Sequence, residues 1–138
     1  AALANGSALC AIEQASQYAK ERAVWGKPIG THQGIAHPLA EAKIEVELAR
    51  LMTMKAASLF DEGRDAGEAA NMAKFAAGEA ATRAVDTAIQ VHGGNGMSEE
   101  YGLVSLWAMA RTLRIAPVSR EMILNFIAQH SLELPKSY

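Results

Sequence analysis

In the stretch Leu39-Ala40-Glu41-Ala42-Lys43-Ile44-Glu45-Val46-Glu47-Leu48-Ala49-Arg50-Leu51-Met52-Thr53, apolar residues return every three or four positions. Leu39, Ala42, Val46, Ala49, Thr53, Ala56 and Phe60 draw one seam along a helix. Ile44, Leu48 and Leu51 make a second stripe beside it, so this helix is expected to meet more than one neighbour, as in the middle of a bundle. The segment runs from Gln33 to about Glu62, on the order of 45 Å at 1.5 Å per residue. Pro38 falls in its opening turns, where a missing N–H costs little.

The flanking segments repeat the helical pattern. Ala1 to about Val24 is rich in Ala, Glu, Gln and Lys, which are good helix formers. Trp25-Gly26-Lys27-Pro28-Ile29-Gly30 breaks it with two glycines and a proline. On the other side, Asp61-Glu62-Gly63-Arg64-Asp65 is a short turn, so the third helix, about Gly67 to His92, returns antiparallel to the second. It is dense in alanine, which lets helix backbones approach closely, with Phe75, Val85 and Ile89 supplying bulk. His92-Gly93-Gly94-Asn95-Gly96 ends it, a glycine taking the left-handed conformation that closes the last carbonyls. Ser98-Glu99-Glu100 reads as an N-cap with acids in the first turn of a fourth helix that runs to about Ile115. After Ala116-Pro117-Val118-Ser119, a final helix reaches about Ser131 with Met122, Ile123, Phe126 and Ile127 on one face. Leu134 to Tyr138 reads as a frayed tail. The pattern predicts an all-α fold: an up-down four-helix bundle with a short extra C-terminal helix.

Half of the 138 residues are apolar and a fifth are charged, a balance that suits a soluble globular protein and argues against intrinsic disorder. Thirteen basic residues against fifteen acidic ones, scattered in sign, give no face for nucleic acid. No apolar run approaches the roughly 18 residues of a membrane span. The single cysteine, Cys10, sits among alanines and leucines and reads as a small core residue. With no partner for a disulfide and no signal peptide, an intracellular setting is expected. The chain opens on the helix-forming run Ala1-Ala2-Leu3-Ala4 with neither an initiator Met nor a cap, as expected of a cut through a helix in a longer protein.

Most catalytic arrangements fail on spacing. There is no Glu-x-x-His pair for a di-iron bundle, His32 and His37 would not share a helix face, and His92 and His130 stand alone. No Gly-x-Ser-x-Gly elbow is present, and Gly93-Gly94-Asn95-Gly96 lacks the lysine and preceding strand of a phosphate loop. Three clusters remain at helix ends or breaks. They are Glu21 to Lys27 with Thr31-His32-Gln33, Gln90 to Gly96, and Ile115 to Glu121. Each has a plain reading alone: Arg22 favouring a helix C-terminus, Trp25 plugging the bundle end, the glycines stopping a helix.

Taken in order, the clusters resemble the C-terminal domain of the acyl-CoA dehydrogenases over essentially the whole chain. Tyr18-Ala19-Lys20-Glu21-Arg22-Ala23-Val24-Trp25-Gly26-Lys27 is similar to that family's Tyr-x-x-x-Arg-x-x-Phe-Gly-Lys, and His32-Gln33 follow at matching spacing. Ala40-Glu41 and Val46-Glu47-Leu48-Ala49-Arg50 continue the match. Gln90-Val91-His92-Gly93-Gly94-Asn95-Gly96 with Glu99-Glu100-Tyr101 resembles Gln-x-x-Gly-Gly-x-Gly-x-x-x-Glu-Tyr. The resemblance implies a single helical domain over 1–138, without the family's N-terminal helical and β domains. It also implies a flavin enzyme that oxidises acyl-CoA thioesters to 2-enoyl-CoA, a homo-oligomer (dimer or tetramer), with electron-transfer flavoprotein as acceptor. The setting would be a bacterial cytoplasm or a mitochondrial matrix. Carried over by motif, Arg22 would pair with the FAD pyrophosphate and Trp25 would supply an aromatic wall, with His32 and Gln33 on the cofactor's polar part. Gln90 and the backbone of Gly93 and Gly94 would reach the FAD of a partner subunit. Ser119, Arg120 and Glu121 match an FAD-contacting helix start.

One departure bears on catalysis. Many members carry the catalytic Glu in a Tyr-Glu-Gly-Thr run, and Pro117 stands at that Glu here, so the position cannot take a proton. Some relatives take the base from upstream in the domain's first helix, which here falls before Ala1. Glu99, Glu100 and Glu121 are the nearest other carboxylates, the first two better read as first-turn acids and Glu121 as a capping partner for Ser119 or Val118. Two readings stay open: part of a working dehydrogenase, or a relative that kept the bundle for assembly or binding and lost the reaction.

Overall fold

The computed structural model describes residues 1–136. Ser137 and Tyr138, the end of the expected tail, lie outside the described residues. Five α-helices carry the fold: α1 (Ala2–Glu21), α2 (Gln33–Asp61), α3 (Gly67–His92), α4 (Leu103–Ile115) and α5 (Arg120–His130). Helix α3 packs against each of the other four. Asn5 near the start of α1 donates to Thr53 in the second half of α2 (Nδ2 to Oγ1, 3.0 Å), so these two helices run antiparallel. Lys74, early in α3, reaches the carbonyl of Arg114 at the end of α4 (3.2 Å), so α3 and α4 also oppose. The up-down bundle with a short extra helix is as the sequence predicts.

Small residues build its centre. Ala4, Ala8, Ala11, Ala15 and Ala19 line one face of α1, and Ala77, Ala80, Ala81, Ala84 and Ala88 line α3. The largest fully buried side chains are only Leu103, Ile123, Val46 and Val85. Cohesion therefore comes from close backbone approach along the alanine faces, where many small dispersion contacts replace a few bulky ones. Glu79, near the middle of α3, ties the C-terminal elements to this frame. Its carboxylate accepts from Arg114 (2.6 Å) on α4 and from Arg120 (3.1 Å) on α5. The Arg120 guanidinium also lies 5.3 Å from the centre of the Phe75 ring.

Several local expectations need correction. Helix α1 stops at Glu21 rather than near Val24, because Ala23–Val24 and Lys27–Pro28 pair as a two-residue antiparallel ribbon. Ser98 does cap, but it caps a 3-10 turn over Glu99–Tyr101, its hydroxyl accepting from the Glu100 N–H. Gly102 at φ +64° then turns the chain, and α4 starts at Leu103. Gly93 has positive φ, yet its ψ of -135° lies outside the left-handed helical region. Cys10 is exposed, its sulfur accepting from Gln14; it sits about 100° around α1 from the buried Ala11. On α5 only Ile123 is buried, while Met122 is 53% exposed. The α2 seam is buried from Leu39 to Ala49, but Phe60 at its end is exposed. Helix α2 does meet two neighbours, α1 and α3, but the second stripe is not what meets them: Ile44, Leu48 and Leu51 are largely exposed. Among the described residues no helix is long and apolar enough to cross a membrane.

Candidate functional site

The first two motif clusters, some 70 residues apart in sequence, meet at one end of the bundle. Helix α1 ends at Glu21, and Arg22 leaves it with an extended backbone while its N–H still bonds to the Tyr18 carbonyl (2.8 Å). Helix α3 ends beside it, and there Gln90, Gly93 and Gly94 form the opposite wall of a cleft of about 350 Å³ with Tyr18, Arg22 and Val24. The Arg22 side chain is exposed and makes no ion pair among the described residues. A Cβ added to Gly93 or Gly94 would meet nothing within 4 Å, so both backbones stand open to an incoming group.

A hairpin lip rises next to the cleft. Val24 pairs with Lys27, and the two residues between them, Trp25 (φ +53°) and Gly26 (φ +76°), both have positive φ, as a type I′ turn requires. Trp25 is 89% exposed, so it does not plug the bundle end. An indole held in the left-handed region and in water costs on both counts, a pattern typical of sites that use the side chain. His32 lies edge-on to it, ring centres 6.2 Å apart, and Gln33 opens α2 beside it. An unpaired guanidinium, bare glycine backbone and a presented aromatic face suit an anion attached to a flat ring system.

The floor of this end was missed in the sequence. His92, read as standing alone, is buried and stacks on Tyr18 with ring centres 4.3 Å apart, while Tyr101 meets it edge-on at 4.9 Å. One ring nitrogen of His92 lies 2.7 Å from the Ala88 carbonyl, and Asn95 donates to the Tyr18 hydroxyl (3.1 Å). This aromatic stack locks the glycine turn onto the end of α1. The only trace of it in sequence is the fixed place of Tyr18 and Tyr101 within their motifs.

The third cluster lies elsewhere. Ser119 caps α5, its hydroxyl accepting from the Met122 N–H (3.3 Å). Arg120 is held by Glu79, which precedes Gln90 by 11 positions on α3, about 17 Å along the axis. Glu121 is exposed and caps neither Ser119 nor Val118; its carboxylate lies 3.9 Å from Arg120. Pro117 sits in the α4–α5 connection after a cis peptide bond, and Lys74 donates to the Val118 carbonyl beside it. Burial pulls the Lys74 ammonium below its ordinary pKa, against the attraction of Glu121 and Glu79. Glu99 and Glu100 are exposed on their 3-10 turn. Among the described residues no three His, Cys, Asp or Glu side chains gather as a metal site.

Comparison with known proteins identifies the family and the fold. The family profile described as "Acyl-CoA dehydrogenase, C-terminal domain" matches residues 1–132. The chain is 60% identical over 140 residues to the acyl-CoA dehydrogenase FadE12 of Mycobacterium tuberculosis, covering 100% of this chain and 36% of that protein. It superposes on the FAD complex of PigA with a TM-score of 0.92 and 32% identity, over 96% of this chain and 34% of that one. Butyryl-CoA dehydrogenase from Megasphaera elsdenii gives a TM-score of 0.90 and 34% identity, over 94% and 34% of the two chains. The chain thus spans about a third of the length of these relatives.

Proposed function

The chain belongs to the acyl-CoA dehydrogenase family, as its C-terminal domain, and on that footing we propose that it is the FAD-contacting and assembly domain of a dehydrogenase that converts acyl-CoA thioesters to 2-enoyl-CoA. The observation that carries this is the cleft uniting Arg22 with Gln90, Gly93 and Gly94, beside which Val24 leads into the hairpin that carries the exposed Trp25. FAD fits it by chemistry. Its pyrophosphate is an anion for the unpaired Arg22, and its flat rings and polar edge suit Trp25, His32 and Gln33. Gln90 offers an amide, and the two glycines let their backbone come close where a Cβ would stand in the way.

When bound, FAD supplies the acceptor for the hydride that leaves the β carbon. This chain's own residues bind and orient. Arg22 makes no ion pair among the described residues, so none of those must break when an anion arrives. The aromatic floor of Tyr18, His92 and Tyr101 holds the glycine turn in place. Ser119, Arg120 and Glu121 form a second patch, where the opening N–H groups of α5 would meet a phosphate or ribose. Two separated patches suit a bundle that touches its own subunit's FAD and a partner's, which fits a homo-oligomer, dimer or tetramer. Pro117 has no proton-accepting side chain, so in this reading a carboxylate from outside this chain removes the α proton. Electron-transfer flavoprotein is the acceptor that goes with it, in a bacterial cytoplasm or mitochondrial matrix.

Anaerobic mixing of the intact, FAD-loaded protein with acyl-CoA thioesters of graded length tests the activity. Bleaching of the flavin's visible absorbance with release of 2-enoyl-CoA is expected. Tight FAD binding with no bleaching by any acyl-CoA would instead mark a relative that kept the bundle for assembly and lost the reaction, as Pro117 would permit.

A further inference from the structure

The cleft where α1 and α3 end is lined by Tyr18, Arg22, Val24, Ile29 and the run 90–95, and none of these is a carboxylate. Glu21, next to Arg22 in the chain, instead accepts from Gln17 and lines the neighbouring groove along α1. An anion entering the cleft therefore meets one guanidinium and no like charge in its walls. A pyrophosphate carries two negative charges, one on each phosphate, and Arg22 answers one of them. Two further cations stand close by in sequence, Lys20 and Lys27. Both are exposed, and neither makes an ion pair among the described residues.

The backbone decides between them. Lys20 follows Tyr18 by two positions on α1, about 200° around the helix, so it projects away from the cleft that Tyr18 lines. Lys27 is paired with Val24 across the two-residue ribbon. Residues directly opposite on antiparallel strands share one face of the ribbon, and Val24 lines the cleft. Lys27 thus stands at the rim beside Val24, and its flexible four-carbon stem lets the ammonium reach inward. The tight turn through Trp25 and Gly26 holds this register. We propose that Lys27 is a second anion-binding residue of this cleft, which takes a pyrophosphate with Arg22 on one phosphate and Lys27 on the other. The division suits the two side chains. The planar guanidinium grips two oxygens of one phosphate, and the ammonium is a mobile point charge that follows the other. The cleft thereby selects a ligand with two adjacent phosphates over one with a single phosphate. The inference rests on the FAD-binding reading of this cleft and adds to it a residue and a selectivity.

Calorimetric titration of the intact apoprotein tests it, with FAD, ADP and AMP as ligands and Lys27→Met, Lys27→Arg and Lys20→Met beside wild type. Lys27 is exposed on its hairpin, so its replacement leaves the packing of the bundle untouched. Lys27→Met should bind FAD and ADP about tenfold more weakly. Lys27→Arg should recover most of that loss, and Lys20→Met should match wild type. Wild type should bind ADP about tenfold more tightly than AMP, and Lys27→Met should lose that preference. The deficit of Lys27→Met should also shrink as salt is raised, because the contact is an exposed one. Equal FAD affinity in Lys27→Met and wild type would overturn the proposal. So would an equal loss in Lys20→Met, which would reduce the effect to general surface charge. The ADP titration separates the two claims. Wild type that binds ADP but no FAD, with ADP weakened in Lys27→Met, keeps the pyrophosphate site and sinks the flavin reading; FAD binding indifferent to Lys27 does the reverse.

Discussion

Trp25 and Gly96 show how a residue's purpose decides what its replacement costs. Trp25 occupies a position that a type I′ turn reserves for Asn, Asp or Gly, and its ring is almost wholly in water. Trp25→Asn should therefore stabilise the fold by up to about 1 kcal/mol, raising the melting temperature by roughly 2–4 °C, while weakening FAD binding. A loss of stability would mean that the indole supports the fold rather than a ligand. Gly96 is the opposite case: a Cβ there would lie 2.6 Å from the Ile89 carbonyl oxygen and 2.9 Å from the Ile89 Cα. Gly96→Ala should cost about 1–3 kcal/mol in chemical denaturation. No loss would show that the turn can shift away from α3. The motif of four residues from Gly93 to Gly96 read as one helix stop in the sequence, yet its glycines divide the work. Gly93 needs its positive φ, Gly94 borders open space, and Gly96 packs against α3.

At the scale of elements, the helices were legible and the places where they meet were less so. The boundaries of α2 and α3 follow from periodicity and from the turn around Gly63. The start of α4 does not, because Ser98 caps a 3-10 turn as well as it would cap a helix, and only the positive φ of Gly102 separates the two. Periodicity likewise registers that Ile44, Leu48 and Leu51 share a face but not whether this chain covers it. The α4–α5 connection depends on Lys74, which donates to carbonyls on either side of Pro117. Burial lowers its pKa below 10.5, with Glu121 and Glu79 pulling the other way. The folded protein thus holds the ammonium at a cost that is present in full below the folded pKa. That cost is relieved as pH rises from the folded pKa toward the unfolded value. Wild type should gain stability relative to Lys74→Met across that alkaline range in urea titrations. A difference that stays flat would show that the ammonium is as well solvated folded as unfolded, and one that shrinks would show that the fold stabilises it.

For the whole molecule, the candidate site was legible as motifs and not as geometry. Arg22, Trp25, His32 and Gln33 come from one break in the chain and Gln90, Gly93 and Gly94 from another; α1 and α3 bring them to one end because both helices finish there. The same bundle keeps Ser119, Arg120 and Glu121 apart, since Glu79 anchors Arg120 well back from the end of α3. Nothing local in the sequence distinguishes these two outcomes. The stack of Tyr18 and Tyr101 on the buried His92 was hidden for the same reason, its rings being supplied by three separate segments. The domain's proposed work as an FAD clamp turns on Arg22, a cation of the cleft that makes no ion pair among the described residues. Calorimetric titration of the intact apoprotein with FAD, comparing wild type with Arg22→Gln, tests it most directly. A charge-assisted bond to the pyrophosphate contributes about 1.5–3 kcal/mol, so the variant should bind FAD roughly 10- to 150-fold more weakly with an unchanged melting temperature in the absence of FAD. Equal FAD affinity in the two proteins would contradict the assignment of this cleft.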